Sequence, residues 1–171
     1  MKTIQLGKSK LQVPVIAVGC MRIQKLNQTE AEKFIKTALE LGTNFFDHAD
    51  VYGNGACEAL FAKAIGMTPI LREQMILQSK VGIRPNMFDF SKEHILEGVN
   101  GSLKRLQTDY LDVLLLHRPD ALVEPEEVAE AFDILHSAGR YATLAFPTRS
   151  PCKLSFCANI YIRKFNATSY S

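Results

Sequence analysis

The sequence lacks the features that mark membrane, secreted and disulfide-rich proteins. Its 171 residues include no tryptophan, and no apolar run approaches the ~20 residues that a membrane-spanning helix needs. The N-terminal residues lack the apolar core of a signal peptide. The four cysteines form no C-x-x-C pair and are too few for a disulfide framework. We therefore expect free thiols, a cytoplasmic location and no membrane partner.

The net charge is too small to predict a nucleic-acid partner or a membrane surface. The formal net charge is +2, with 47% hydrophobic and 22% charged residues, as in an ordinary globular domain. One stretch has no acidic residue at all: the last of the 18 is Asp133, and residues 141–171 carry only basic charges. We call this change in composition, at residue 140, the seam. It divides the chain into a body, residues 1–140, and a basic tail, residues 141–171.

Short apolar runs alternate with helical patterns through the body. After an N-terminal hairpin, strands are predicted to end at Gly19, Asp47, Lys80 and His117, each followed by a helix. Because these strands are apolar throughout, they predict a parallel sheet buried on both faces. Four βα units suit half of a TIM barrel or a doubly wound sheet, but no G-x-G-x-x-G loop follows the first strand, so a Rossmann fold is unsupported.

The first predicted helix begins at a capping box and ends at a glycine. Thr29 and Glu32 match a capping box at its start, and Gly42 matches a stop signal at its end. Apolar residues at helical spacing, among them Phe34 and Ile35, predict the face that packs on the sheet.

Polar side chains follow the strands where a buried sheet would have apolar ones. Asp47, Lys80 and His117 end three strands, and Tyr52 lies in the loop after Asp47. Carboxyl ends of parallel strands meet on one face of a barrel, so these four side chains are expected to converge. Taken singly, each has a simpler explanation: a solvent-facing strand end, a rim aromatic, a satisfied histidine or a structural ion pair.

Together the four side chains suit the reduction of a carbonyl group. A tyrosine hydroxyl is a weak acid near neutral pH, and a neighbouring ammonium stabilises the phenolate that is left when its proton departs. Lys80 can supply that charge, Asp47 can hold Lys80, and His117 can orient a carbonyl oxygen. The set contains neither a nucleophile nor metal ligands, so the hydride must come from a cofactor.

Three segments resemble the aldo-keto reductase family. F-D-H-A-D-V-Y-G, residues 46–53, resembles its D-x-A-x-x-Y-G signature, Leu77–Lys80 resembles its strand-three lysine segment, and Asp109–His117 its strand-four histidine segment. The similarity covers about residues 4–139. It implies the N-terminal half, four βα units preceded by a β-hairpin, of a (β/α)8 TIM barrel.

The resemblance also implies an activity and a site. Family members are NADPH-dependent reductases of aldehydes and ketones, so a small carbonyl substrate and NADPH are expected. The catalytic tetrad maps onto Asp47, Tyr52, Lys80 and His117, with Tyr52 as proton donor. Residues implied at the nicotinamide are Gly19, Cys20, Met21 and Asp47.

The resemblance ends at the seam. In the family, strands five to eight follow, and their loops carry most cofactor contacts; none of these can be placed in residues 141–171. We interpret the tail as an out-of-frame reading, because restoring one A in permitted codons for Gly139–Thr148 yields G-K-V-R-H-F-G-V-S-N, which the family expects there. A genuine lineage-specific tail is the alternative, and sequencing the locus decides between them.

An incomplete barrel has physical consequences. Four βα units leave an open sheet edge, so we expect self-association through that edge and a poorly ordered segment over residues 141–171. Two functional alternatives to an active reductase stay open. One is a catalytically silent relic, and the other is a cofactor-sensing interaction protein.

Overall fold

A parallel five-stranded sheet forms the centre of the structure, a computed structural model that describes residues 1–118, 120 and 122–145. The strands are β1 (Thr3–Gln5), β2 (Gln12–Pro14), β3 (Val18–Gly19), β4 (Phe45–Asp47), β5 (Ile76–Val81), β6 (Ile83–Arg84), β7 (Met87–Phe88), β8 (Leu111–Leu116) and β9 (Tyr141–Ala145). The helices are α1 (Gln28–Glu40), α2 (Ala56–Ile65), α3 (Pro69–Glu73), α4 (Lys92–Leu106) and α5 (Pro125–Ser137). Short 3-10 helices cover Ile23–Lys25 and Tyr52–Gly55.

The strand order identifies the type of parallel sheet. The central sheet runs β3-β4-β5-β8-β9, and every neighbouring pair is parallel. Each βα unit therefore adds its strand beside the preceding one, as in a TIM barrel, whereas a doubly wound sheet reverses its order at a switch point. The predicted α/β architecture, a series of barrel-type βα units after a β1–β2 hairpin, is confirmed.

The sheet has two apolar faces, as its continuous apolar strands predict. One face packs against the helices; the largest side chains there include Phe46, Phe61, Leu114 and Phe132. The other face, the barrel interior, meets the β1–β2 hairpin through a smaller cluster: Leu6, Val13, Phe45, Ile76, Val113 and Ala145. Because side chains alternate along a strand, the positions that follow Phe45 and Ile76 by two residues also face the barrel interior.

The start of α1 differs from the prediction. Asn27, in extended backbone, is the N-cap: its side chain accepts from the Glu30 N–H at 2.9 Å, and the Glu30 carboxylate accepts from the Asn27 N–H at 2.9 Å. Thr29 lies inside the helix, and Glu32 pairs instead with Lys36 at 2.6 Å. The sequence contains two overlapping capping-box patterns with the same spacing, one beginning at Asn27 and one at Thr29. The helix uses the first, because Asn27 has the extended backbone that an N-cap residue requires.

The apolar face of α1 is also narrower than predicted. Ile35 and Ala31 are buried, but the ring of Phe34 is 41% exposed.

In the described part of the chain, none of the helices is long and apolar enough to cross a membrane.

Order does not stop at the compositional seam. Tyr141–Ala145 forms β9, which pairs with β8 from Leu111 opposite Tyr141 to Leu115 opposite Ala145. Tyr141, Leu144 and Ala145 are buried, so the strand contributes to the core. The expectation that residues 141–171 are poorly ordered is corrected for these five residues, and residues 146–171 lie outside the described part.

A second antiparallel hairpin, β6–β7, follows β5 and was not predicted. Its turn contains Pro85 and Asn86, and Asn86 adopts a positive φ of 65°. Gly82 precedes the hairpin with a φ of +108°, and the ring of Phe90 packs where a side chain at residue 82 would lie. The hairpin therefore folds back onto the carboxyl end of β5.

Candidate active site

A tight turn after β4 brings Tyr52 back toward the strand ends. The Tyr52 N–H donates to the Ala49 carbonyl at 3.0 Å. Gly53, Asn54 and Gly55 then all have positive φ values, of 59°, 53° and 85°. Glycine and asparagine adopt this backbone at the lowest cost, which explains why G-N-G follows the tyrosine. The chain thereby passes from strand to helix α2 within a few residues.

The Lys80 ammonium group joins the site together. Lys80 Nζ donates to Asp47 Oδ1 at 2.5 Å, to the His48 carbonyl at 2.8 Å and to the Tyr52 hydroxyl at 3.2 Å. An ammonium group has three hydrogens and accepts none, so these three bonds use all of its donors. The Tyr52 oxygen must accept in its bond with Lys80, which leaves the hydroxyl proton free for another acceptor.

His117 completes the group at the end of β8. Its main-chain N–H donates to the Val81 carbonyl at 2.9 Å, and its ring stands edge-on to the Tyr52 ring with centroids 5.7 Å apart. Burial, and then the positive charges of Lys80 and Arg118, lower the pKa of His117 to about 4. The imidazole is therefore neutral at pH 7 and can donate one hydrogen bond.

The lowered pKa of His117 predicts its titration. The NMR titration midpoint of the His117 ring is expected at about 4, well below the ordinary histidine value of about 6.5. Lys80→Met should raise the midpoint but leave part of the shift, because burial is the larger cause. A midpoint near 6.5 in the unmodified chain would contradict the described environment.

Gln78 belongs to the same group and was not predicted. Its Nε2 donates to Asp47 Oδ1, the oxygen that also accepts from Lys80. Gln78 precedes Lys80 by two residues, so both side chains face the barrel interior. This two-residue spacing from Lys80 was the feature of the sequence that could have predicted Gln78 as a member of the site. Two donors on one oxygen hold the Asp47 carboxylate in a single orientation.

Two further titratable groups, one buried and one partly buried, lie beside Lys80. The His48 ring is fully buried, and burial followed by the Lys80 charge lowers the pKa of His48 to about 3. Asp50 donates its N–H to the Lys80 carbonyl at 3.0 Å, and burial and the nearby Glu58 raise the pKa of its carboxyl to about 6. With His48 neutral, Lys80 supplies the positive charge that faces Tyr52.

Of the four residues predicted to contact a nicotinamide, Asp47 ends β4, and the other three lie at the end of the neighbouring strand β3. Gly19 is paired with Asp47 across the strands, and no atom lies within 4 Å of where a Gly19 side chain would begin. Met21 is 49% exposed. The Cys20 side chain is buried, and burial raises the pKa of its thiol. Cys20 as a whole is 0% exposed, and its main-chain N–H donates to the Asp47 carbonyl at 2.9 Å.

The chemistry open to this site is proton transfer beside a fixed cation. Tyr52 offers a proton, and Lys80 stabilises the phenolate that remains. The neutral His117 ring stands beside the tyrosine as a hydrogen-bond donor. Across the described ranges, no group of three histidine, cysteine, aspartate or glutamate side chains could hold a metal ion.

Comparisons with known proteins show which family the chain is similar to. The model of the aldo/keto reductase family matches residues 15–150. YcsN, an uncharacterized oxidoreductase of Bacillus subtilis, is 41% identical over 152 residues, 82% of this chain and 50% of YcsN. A 6-dehydroglucose reductase of Novosphingobium aromaticivorans is 39% identical over 149 residues, 82% of this chain and 49% of that protein.

A solved structure gives the same result for the fold. The aldo-keto reductase AKR11C1 from Bacillus halodurans, in its holo form, aligns with a TM-score of 0.81 and 34% identity. The alignment covers 98% of this chain and 55% of that one. The chain spans about half the length of the curated relatives it matches. By its matched segment, its strand order and its relatives, this chain belongs to the aldo/keto reductase family.

Proposed function

We propose that this site reduces an aldehyde or ketone to an alcohol with NADPH as the reductant. The observation that carries the proposal is the Lys80 ammonium, whose three donors are used by Asp47, His48 and Tyr52. This arrangement leaves the Tyr52 proton free and places the compensating charge 3.2 Å from its oxygen. Such a pair suits a reaction in which a carbonyl oxygen must gain a proton.

Each side chain has a distinct role in the proposal. Tyr52 donates its proton to the carbonyl oxygen, and Lys80 stabilises the phenolate until solvent returns a proton. The neutral His117 ring donates a hydrogen bond that orients the same oxygen. Asp47, itself fixed by Gln78, holds the ammonium group in place. The bound cofactor would supply the hydride that the carbonyl carbon accepts.

The residues at the end of β3 fit the nicotinamide end of such a cofactor. The space above Gly19 is open, Met21 is exposed, and Gly19 is paired with Asp47. Gly19, Met21 and Asp47 would hold the nicotinamide end of the cofactor. The holo form of AKR11C1 and the oxidoreductase names of the relatives support a nucleotide cofactor. The resemblance implies NADPH, and NADH stays the alternative, because the segment that would grip the 2′-phosphate cannot be placed in this chain.

Two assays test the proposal. Absorbance measures NADPH oxidation in the presence of a panel of small aldehydes and ketones, and fluorescence measures NADPH binding. We expect both binding and carbonyl-dependent oxidation. Binding without oxidation would contradict the reductase proposal and favour the cofactor-sensing interaction protein. The absence of both NADPH binding and NADPH oxidation would favour the silent relic.

We further propose that the chain functions in the reducing cytoplasm and self-associates. Cys20 and Cys57 are buried free thiols, which suits a reducing compartment. In the described part of the chain, β3 lies at one edge of the central sheet, and an exposed sheet edge favours pairing with another chain. The out-of-frame origin of the tail stays a hypothesis, which sequencing of the locus tests.

A further inference from the structure

A fully buried carboxylate lies behind the site, on the helix side of the sheet. Glu58 on α2 is 0% exposed, although an unpaired carboxylate in such a place is very costly. Its Oε1 accepts from Ser79 Oγ at 2.7 Å, and its Oε2 accepts from Arg105 Nε at 2.8 Å. Both oxygens are bonded, and the guanidinium of Arg105 balances the charge.

The bond to Ser79 connects Glu58 with the strand that carries Lys80. Ser79 and Lys80 are consecutive on β5, so their side chains point to opposite faces. Lys80 reaches the site from one face, and Ser79 reaches Glu58 from the other. Glu58 therefore holds β5 from behind at the residue next to the ammonium-bearing one.

The bond to Arg105 connects Glu58 with the turn that carries Tyr52. Gly55 ends that turn with a φ of +85°, and a Cβ there would lie 2.7 Å from Arg105 Cδ. The stem of Arg105 thus packs directly on the backbone of Gly55, and its guanidinium also donates to Ser102 Oγ at 3.2 Å. Movement of Arg105 would allow the turn to move as well.

We propose that Glu58 is a positioning residue for the Tyr52–Lys80 pair. Its two bonds join strand β5 to the Tyr52 turn and so maintain the 3.2 Å contact between Lys80 Nζ and the Tyr52 hydroxyl. The catalytic consequence rests on the proposed function, whereas the positioning itself does not. Misplacement of a catalytic group by about 1 Å can cost on the order of 10²-fold in rate.

The positioning is measured directly by NMR of the chain labelled with ¹³C at tyrosine Cζ. The Tyr52 resonance is assigned by its loss in Tyr52→Phe. In Glu58→Gln, the Arg105 charge loses its partner, and we expect the Tyr52 resonance to shift while that of Tyr110 stays in place. A buried residue with a purely structural role would lower stability without this selective shift.

A matched control exists at the opposite end of the same strand. Asp112 accepts from the Leu77 N–H at 2.8 Å and from Arg72 at 2.7 Å, so it also braces β5 with a buried ion pair. Asp112→Asn should lower stability and leave the Tyr52 resonance unchanged. A Tyr52 shift in Asp112→Asn as large as that in Glu58→Gln would overturn the proposal. It would mean that the loss of any bond that holds β5 moves the Tyr52 resonance.

A second variant keeps the test informative if Glu58→Gln does not fold. Ser79→Ala removes one hydroxyl and leaves the Glu58–Arg105 pair intact, so a smaller Tyr52 shift is expected. Unchanged Tyr52 resonances in the folded variants would overturn the proposal. Where turnover is measured, Glu58→Gln should lower kcat on the order of 10²-fold with little change in KM. A Tyr52 shift in a chain whose turnover survives Tyr52→Phe would support the positioning and refute the proposed function.

Discussion

Replacing Tyr52 with phenylalanine is expected to lower kcat/KM for carbonyl reduction on the order of 10²–10⁴-fold, the usual contribution of a general acid. The variant loses only the hydroxyl, so the ring still packs edge-on against His117. Lys80 keeps its bonds to Asp47 and His48. Steady-state NADPH oxidation measures the loss, and fluorescence titration should show NADPH binding nearly unchanged.

Tyr110→Phe is the matched control for that experiment. Tyr110 precedes β8 at the amino end of the sheet, where its ring lies against the Arg72 guanidinium at 3.9 Å from the centroid. A phenylalanine preserves that contact, and turnover should stay at the level of the unmodified chain. If Tyr52→Phe retained full turnover, another group would have to protonate the carbonyl oxygen and the role proposed for Tyr52 would be wrong.

The largest loss of stability is expected from Arg72→Met. Arg72 is 5% exposed and donates to Asp112 at 2.7 Å, to Thr108 Oγ1 at 2.9 Å, and to the Met75 and Tyr110 carbonyls at 3.0 Å each. Its removal leaves Asp112 charged and nearly buried without its cation. Breaking such a pair typically costs about 3–5 kcal/mol. Urea unfolding followed by circular dichroism measures the change in the free energy of unfolding.

An exposed ion pair provides the comparison. Lys36 and Glu32 on α1 are 2.6 Å apart, with side chains 60% and 40% exposed. Lys36→Met should change the free energy of unfolding by about 0.5 kcal/mol or less, because water screens this pair. Similar small losses in both variants would show that the Arg72 cluster contributes far less than its burial and bonds predict.

Periodicity explains why much of the site was predictable. Continuous apolar strands indicate a parallel sheet, and parallel strands bring their carboxyl ends together. Asp47, Lys80 and His117 could therefore be grouped without coordinates, and Tyr52 followed from its place in the adjoining loop. The structure brings these four side chains together, and their catalytic roles stay a prediction.

Other features depend on contacts that periodicity does not encode. Glu58 would ordinarily be read as a solvated helix residue, and its burial depends on Ser79 and Arg105, which lie far along the chain. The only local signal was its position inside the apolar helix α2. The N-cap of α1 was mispredicted, because the segments that begin at Asn27 and at Thr29 match the capping-box pattern equally well.

The seam at residue 140 shows the opposite difficulty. A loss of acidic residues signals a change in the sequence, but a strand needs only a suitable apolar pattern. Tyr141, Leu144 and Ala145 supply enough apolar surface for β9 to pair with β8. Charge composition therefore gave no sign of the strand that follows residue 140.

The proposed chemistry depends on the contact between side chains from separate strands at one rim of the sheet. A nuclear Overhauser experiment on the chain labelled at tyrosine and histidine tests this contact directly. Tyr52 is assigned with Tyr52→Phe and His117 with His117→Gln. With ring centroids 5.7 Å apart in an edge-on arrangement, a cross-peak between the Tyr52 and His117 ring protons is predicted. Both resonances present without that cross-peak would contradict the account.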